Sequence, residues 1–210
     1  MSSRLPPVPR EELDSEQQKA YDHFRASASR NAPHPGAVDR ATNTLFPVLA
    51  VLPRTGSLNV DLLATLEQET TGYFSAAVRE VVSLVATTFF KSDYVTRIHS
   101  LMAVQLGLLS QAQADAITEG RDPADLSADC RLAYRCAKHL LETRGPLTQE
   151  LWDECVESFQ LEGTIGLVHY VALLSWTSLT LNVADLKVPE KAKASEPSIE
   201  NDAKPGESRQ

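Results

Sequence analysis

The chain is poor in the residue types on which several protein classes depend. Only three cysteines, Cys130, Cys136 and Cys155, stand among its 210 residues. Their number is odd and no two are spaced C-x-x-C, which argues against a disulfide framework or a zinc ribbon. Basic side chains are the minority, 20 against 28 acidic ones, for a net charge of −8. That is the wrong sign for affinity gained by neutralising phosphates, so neither nucleic acid nor an anionic membrane is expected as a partner. The opening MSSRLPPVP lacks the apolar run of a signal peptide, and no Arg- and Ser-rich presequence is present. The sequence therefore predicts a cytosolic (cytoplasmic) protein with reduced thiols. Walker loop, dinucleotide glycine fingerprint, G-x-S-x-G elbow and H-E-x-x-H are all missing. The five histidines, His23, His34, His99, His139 and His169, include no pair three or four residues apart, so nothing in the spacing argues for a metal site, and no cofactor is expected.

What is present is material for one helical core. Hydrophobic residues make up 42% of the chain and aromatics 6%. Residues 163–184 carry no formal charge, a stretch long enough in principle to span a bilayer. Thr164, His169, Tyr170, Ser175, Thr177, Ser178, Thr180 and Asn182 make it too polar for an isolated membrane helix, and it reads as the buried central helix of a bundle. Helical periodicity further predicts helices near 18–28, 58–71, 76–90, 94–106, 111–118, 128–143, 149–159 and 164–184. Asp14 with Gln17 has the form of a capping box, Ser75, Ser110 and Thr148 are expected N-caps, and Gly72, Gly107, Gly120 and Gly145 stand where helices should end. Pro33, Pro35, Gly36, Pro47 and Pro53 make 31–56 a predicted loop with at most one short helix around 46–52. Val81 to Val85 is β-branched enough to compete as a strand, but no segment sustains a period of two. The fold class expected is therefore all-α: an extended segment and first helix over 1–30, one helical domain over 31–186, and a disordered tail over 187–210. That tail holds three prolines, no aromatics and equal numbers of acidic and basic side chains, too little apolar surface to offset ordering entropy.

Chemistry concentrates between residues 79 and 99. Ser92, Val95 and His99 recur at i, i+3 and i+7 on one helical face, and Glu80 lies on the apolar helix just before them. An antiparallel hairpin would bring Glu80 to His99. A carboxylate beside an imidazole raises its pKa and fixes its tautomer, which suits a general acid or base near neutral pH and equally suits a structural hydrogen bond. Arg79 is placed either to hold a carboxylate or to form an ion pair. Arg97 is expected to face solvent or a neighbouring subunit. His169 and Tyr170 are candidates to line a pocket, and Trp176, Phe89 and Phe90 are expected in the core.

The run Arg79-Glu80, then Tyr94, His99, Ala103, Gly107 and Leu108, resembles the signature of the carboxymuconolactone decarboxylase and alkylhydroperoxidase D-like superfamily: R-E, a small apolar helix, Y-x4-H, x3-A-x3-G-L. Arg4-Leu5-Pro6-Pro7 and Leu181-Asn182 resemble the ends of its longer members. The resemblance implies an alkylhydroperoxidase D-like helical bundle that associates into homo-oligomers. The peroxidase branch works through E-x11-C-x2-C-x3-H, and here the two cysteine positions fall on Ser92 and Val95. Without sulfur there, no disulfide cycle runs at that place, and the resemblance points to the decarboxylase-like branch: a lyase or isomerase acting on a small carboxylated lactone or β-keto acid. It implies His99 as proton donor, Glu80 as its orienter, and Tyr94, Ser92, Arg79 and His169 as substrate contacts. The competing expectation is a non-catalytic helical oligomer or ligand-binding protein that has lost the redox centre.

Overall fold

The computed structural model describes residues 3–31 and 35–186. Among them all regular structure is helical: a 3-10 turn at Arg10–Glu12, then α1 (Ser15–Asn31), α2 (Pro35–Thr44), α3 (Phe46–Leu49), α4 (Pro53–Thr70), α5 (Ala76–Phe89), α6 (Asp93–Gln105), α7 (Gln111–Thr118), α8 (Ala128–Thr143) and α9 (Gln149–Asn182). The tail predicted over 187–210 lies outside the described residues.

Local chemistry sets most of the boundaries. Asp14 accepts from the Gln17 amide at 2.8 Å while Gln17 accepts from the Asp14 amide at 3.2 Å, the reciprocal box expected ahead of α1. Ser75, Ser110 and Thr148 each accept from the amide three residues on, as expected, and Ser127 does the same for α8. Each such cap satisfies a donor the helix cannot and contributes about 1 kcal/mol. Gly107 and Gly120 follow α6 and α7 at φ 66° and 72°, a conformation that costs glycine nothing.

The predicted loop over 31–56 is where the structure departs from the sequence reading. It contains α2 and α3, and α4 begins at Pro53 rather than near residue 58. Proline lacks an amide hydrogen that a first helical turn does not use, so Pro35, Pro47 and Pro53 open helices here instead of breaking them. Val38 and Thr42, four apart on α2, are buried. A small cluster of Leu13, Ala20, Phe24, Phe46 and Ala50 joins this N-terminal layer together, with Tyr21 edge-on to Phe46 at 5.1 Å.

The main core forms around α5, which packs against α6, α7, α8 and α9. Val78, Val81, Val82, Leu84 and Ala86 have essentially no exposure, and burying each larger side chain contributes about 1.5–3 kcal/mol. The β-branched run is helical because packing on nearly every side outweighs a modest propensity penalty. Glu80 and Arg79 sit on the one side of α5 that stays partly open. The two predicted helices over 149–159 and 164–184 run on as α9, bent at Gln160, whose φ of 61° and ψ of 176° are not helical. By length and composition α9 could cross a membrane, and half of its apolar window is buried inside the fold. The N-terminus is tied to its far end, the Arg4 amide donating to the Ala184 carbonyl at 3.0 Å.

Two aromatics expected in the core are not there. Phe89 and Trp176 are 39% and 38% exposed: Phe89 is the last residue of α5, past its packed turns, and Trp176 lies opposite the inward face of α9 formed by Val171, Leu174 and Ser178. Phe90 is half-buried and packs edge-on against Phe89 at 5.2 Å.

Candidate active site

The turn between α5 and α6 decides what meets what. Lys91 takes a left-handed φ of 52°. The Lys91 and Ser92 amides then donate back to Thr88 and Thr87 at 2.9 Å each, closing the paired bonds that end a helix at a left-handed residue. Asn182 on α9 donates to the Phe90 carbonyl at 2.8 Å and pins this turn from outside. The chain thus reverses in three residues, and α6 returns along α5.

That reversal brings His99 onto Glu80, with Nδ1 and Oε2 2.9 Å apart. An ionised carboxylate only accepts, so the Nδ1 proton is the donor and Nε2 is left as the ring nitrogen without a described partner. The side chains are 13% exposed for Glu80 and 23% for His99. Burial opposes a charged imidazole, but the Glu80 charge and hydrogen bond outweigh it, and the His99 pKa is raised above its ordinary value. An imidazolium with Nε2–H available near neutral pH is the state of a general acid.

Both residues line a cavity of about 850 Å³ bounded by α1, α2, α4, α5, α6 and α9. Of the other residues singled out by sequence, Arg79 and Tyr94 line it as well. Arg79 pairs at 3.2 Å with Glu67 of α4 and not with its neighbour Glu80. The Tyr94 ring is buried, its hydroxyl shares a hydrogen bond with Thr44 of α2, and burial pushes its phenol pKa up against the Thr44 bond. Ser92 and His169 are placed elsewhere. Ser92 is buried in the turn, 2% exposed, and is absent from the cavity wall. His169 is exposed, because its neighbour Tyr170 takes the inward face with Leu173 and Leu174.

Several wall residues escaped the sequence reading or were assigned differently. Ser83 lines the cavity one turn beyond Glu80, a spacing that could have found it. Arg97, expected to face solvent or a neighbour, is half-buried on the wall, and Arg40 of α2 joins it there. Tyr170 lines the cavity as the sequence reading expected. Its phenol is buried without a hydrogen bond of good geometry, and burial raises its pKa.

The fold is shared with a solved enzyme. Over 90% of this chain and 94% of that one, the structure is similar to the apo crystal structure of the debrominase Bmp8, with a TM-score of 0.67 and 14% sequence identity. At that identity the likeness is one of fold alone. No family model matches the chain, and no curated protein does.

The thiols lie apart from this site. Cys130, Cys136 and Cys155 are free and buried on α8 and α9, and none lines the cavity. Cys136 hydrogen-bonds with Cys155, and that bond together with burial pushes the Cys136 thiol up, away from the reactive thiolate. Val95, at one of the two positions where the peroxidase relay has cysteine, is a wall residue. Among the described residues no three His, Cys, Asp or Glu side chains gather in a metal-binding group.

Proposed function

We propose that the protein is an enzyme of the carboxymuconolactone decarboxylase-like kind, a lyase or isomerase that protonates an enolate-like intermediate of a carboxylated lactone or β-keto acid through Glu80 and His99. The observation that carries this reading is the 2.9 Å Glu80–His99 bond on the wall of a cavity large enough for a substrate. The debrominase that shares the fold supports an enzymatic role for such a bundle.

The chemistry follows from what the pair can do. When a carboxylate sits β to a carbonyl or conjugated to an unsaturated lactone, its C–C bond breaks to release CO2, and the electron pair is delocalised as an enolate. The remaining need is one proton at carbon. His99 Nε2–H delivers it, while Glu80 holds the Nδ1 proton and stabilises the imidazolium beforehand. Neutral His99 then regains its proton from solvent. Double-bond isomerisation uses the same parts, with His99 first taking and then returning a proton. In this reading Arg79 and Tyr94, both on the cavity wall, supply contacts to a substrate oxygen.

The test is turnover of a panel of β-keto acids and carboxylated lactones, read by CO2 release and by deuterium incorporation at carbon in D2O. The reading requires that a substrate be turned over with one solvent deuteron gained, and that His99→Ala abolish this. A panel with no turnover, or a folded His99→Ala protein as active as wild type, would leave the Glu80–His99 bond as a structural contact.

A further inference from the structure

Two cations on the cavity wall pair with no carboxylate among the described residues. Arg40 and Arg97 line the same cavity as His99, and neither forms an ion pair among the described residues. The other two charged groups of acidic type on that wall are already engaged, Glu67 with Arg79 and Glu80 with His99. Asp39, beside Arg40, is paired with Arg25 instead, and Asp93, one turn before Arg97, is exposed, so in a chain of net charge −8 two half-buried guanidinium groups stand on the wall with no ion pair among the described residues.

Their placement is also specific. Arg40 lies one turn before Thr44, whose hydroxyl bonds Tyr94, and the Arg40 charge acts on the Tyr94 phenol. Arg97 follows Tyr94 by three residues, on the next turn of α6. Arg40 therefore stands beside the Tyr94–Thr44 contact from α2, and Arg97 lines the same cavity one turn further along α6. Residues 97 and 99 stand about 200° apart around a helix with 3.6 residues per turn. A molecule that touches both must be long enough to reach from one side of α6 to the other.

The space between is apolar. Leu63 and Ala64 of α4, Met102 of α6 and Leu174 and Trp176 of α9 supply much of the wall. Leu63 and Trp176 are 44% and 38% exposed, so apolar surface continues to the cavity mouth. A volume of about 850 Å³ lies at the upper end of the range for small-molecule sites, which runs to roughly 1,000 Å³. A simple lactone acid would fill little of it.

We propose that Arg40 and Arg97 form an anion-binding end of this cavity, and that the site takes an amphipathic acid: a bulky apolar or aromatic body with an anionic group held by the arginines and kept throughout the reaction. The substrate class rests on the reading of Glu80 and His99 as the reacting pair; the anion end does not. The held anion is not the carboxylate that departs. An arginine on a departing carboxylate stabilises the ground state more than the transition state, in which that charge moves into the enolate, and so opposes the reaction. Anchoring a second, retained acid group stabilises both states alike and positions the reacting carbon at His99.

Binding can be measured without turnover. The probes are 8-anilinonaphthalene-1-sulfonate, an aromatic body with an anionic group, and N-phenyl-1-naphthylamine, the same body without charge, each titrated by fluorescence at fixed ionic strength. Saturable binding of the sulfonate at one site per chain is expected, tighter than the amine by about tenfold or more, the scale of a charge-assisted hydrogen bond. Arg40→Gln with Arg97→Gln should remove that preference and leave the neutral probe within about twofold, while Arg40→Lys with Arg97→Lys should keep part of it. Turnover is read on the acid panel and the sulfonate preference on the probes, so loss of turnover and loss of the anion end are measured separately. Equal affinity of the wild type for both probes overturns the proposal, and that comparison needs no variant to fold. An unchanged preference in the folded Gln pair, or a probe signal that rises and falls with self-association of the chain, overturns it as well.

Discussion

Gly163 on α9 gives the most direct access to how the cavity wall is held. A Cβ placed there would stand 2.7 Å from Cβ of Tyr73 and 3.1 Å from Cβ of Phe159. Neither atom is the end of a flexible side chain, so relief requires α9 to move away from the segment joining α4 to α5. Overpacking of that kind costs about 1–3 kcal/mol, against a gain of about 1 kcal/mol from replacing glycine by alanine inside a helix. An approach of 2.7 Å, closer than Cβ atoms come in practice, puts the cost in the upper half of that range, about 2–3 kcal/mol, so packing wins and Gly163→Ala should lose about 1–2 kcal/mol net. For a body of this size each kcal/mol moves Tm by about 2–4 °C, so calorimetry should find Tm lower by about 2–8 °C. Gly72→Ala is the internal reference: no atom lies within 4 Å of its added Cβ, and stability should stay within about 0.5 kcal/mol of wild type. If Gly163→Ala melts at or above wild type, α9 is not held against Tyr73 and the wall carrying Tyr170 and Leu174 is not fixed in the way described.

Other outcomes follow from single contacts. Lys91→Gly should raise stability by about 1 kcal/mol in denaturant unfolding, because a left-handed backbone costs an L-residue roughly that much. The raised His99 pKa stabilises the fold most below the unfolded value near 6.5 and loses that contribution as pH rises through the folded value, so the stability gap between wild type and Glu80→Gln should narrow as pH is raised from about 6; a gap that widens refutes the pairing. Replacing Cys130, Cys136 and Cys155 together by alanine should leave the turnover of a folded protein within a few-fold (roughly threefold), since no thiol lines the cavity; dithiol-dependent peroxide consumption lost in that variant would revive a redox function. Light scattering at micromolar concentration should give a mass above that of one chain, as the homo-oligomer implied by the resemblance requires, and a single-chain mass contradicts it.

Much of this architecture is written in local chemistry. The caps at Asp14, Ser75, Ser110 and Thr148 and the glycine stops at 107 and 120 depend on residues within a turn of themselves, so the sequence shows them. The meeting of Glu80 with His99 was legible for the same reason: both flank one short turn, and helical spacing gives their faces. What escaped depends on distant partners. Pro35 and Pro53 look like breakers until α2 and α4 have a core to join, and only the packed bundle makes them first-turn residues. Arg40 reaches the site through a helix that the local sequence does not announce. Arg97 looks like a surface residue because its cavity is built by α2, α4 and α9. His169 and Tyr170 share one uncharged helix, and which of them faces inward is set by the phase of α9 after its bend at Gln160, a feature no periodicity predicts.

The most direct test of the central claim is a double-mutant cycle on kcat/KM for the substrate found in the panel, with Glu80→Gln, His99→Ala and the combined variant, each shown to be folded. If His99 delivers the proton and Glu80 orients and charges it, His99→Ala loses roughly a hundredfold or more, the usual scale of general acid catalysis. Glu80→Gln loses less, and the combined variant is little worse than His99→Ala because the two act as one unit. Losses that simply multiply would mean the residues act independently, and wild-type kcat/KM in folded His99→Ala would contradict the account outright.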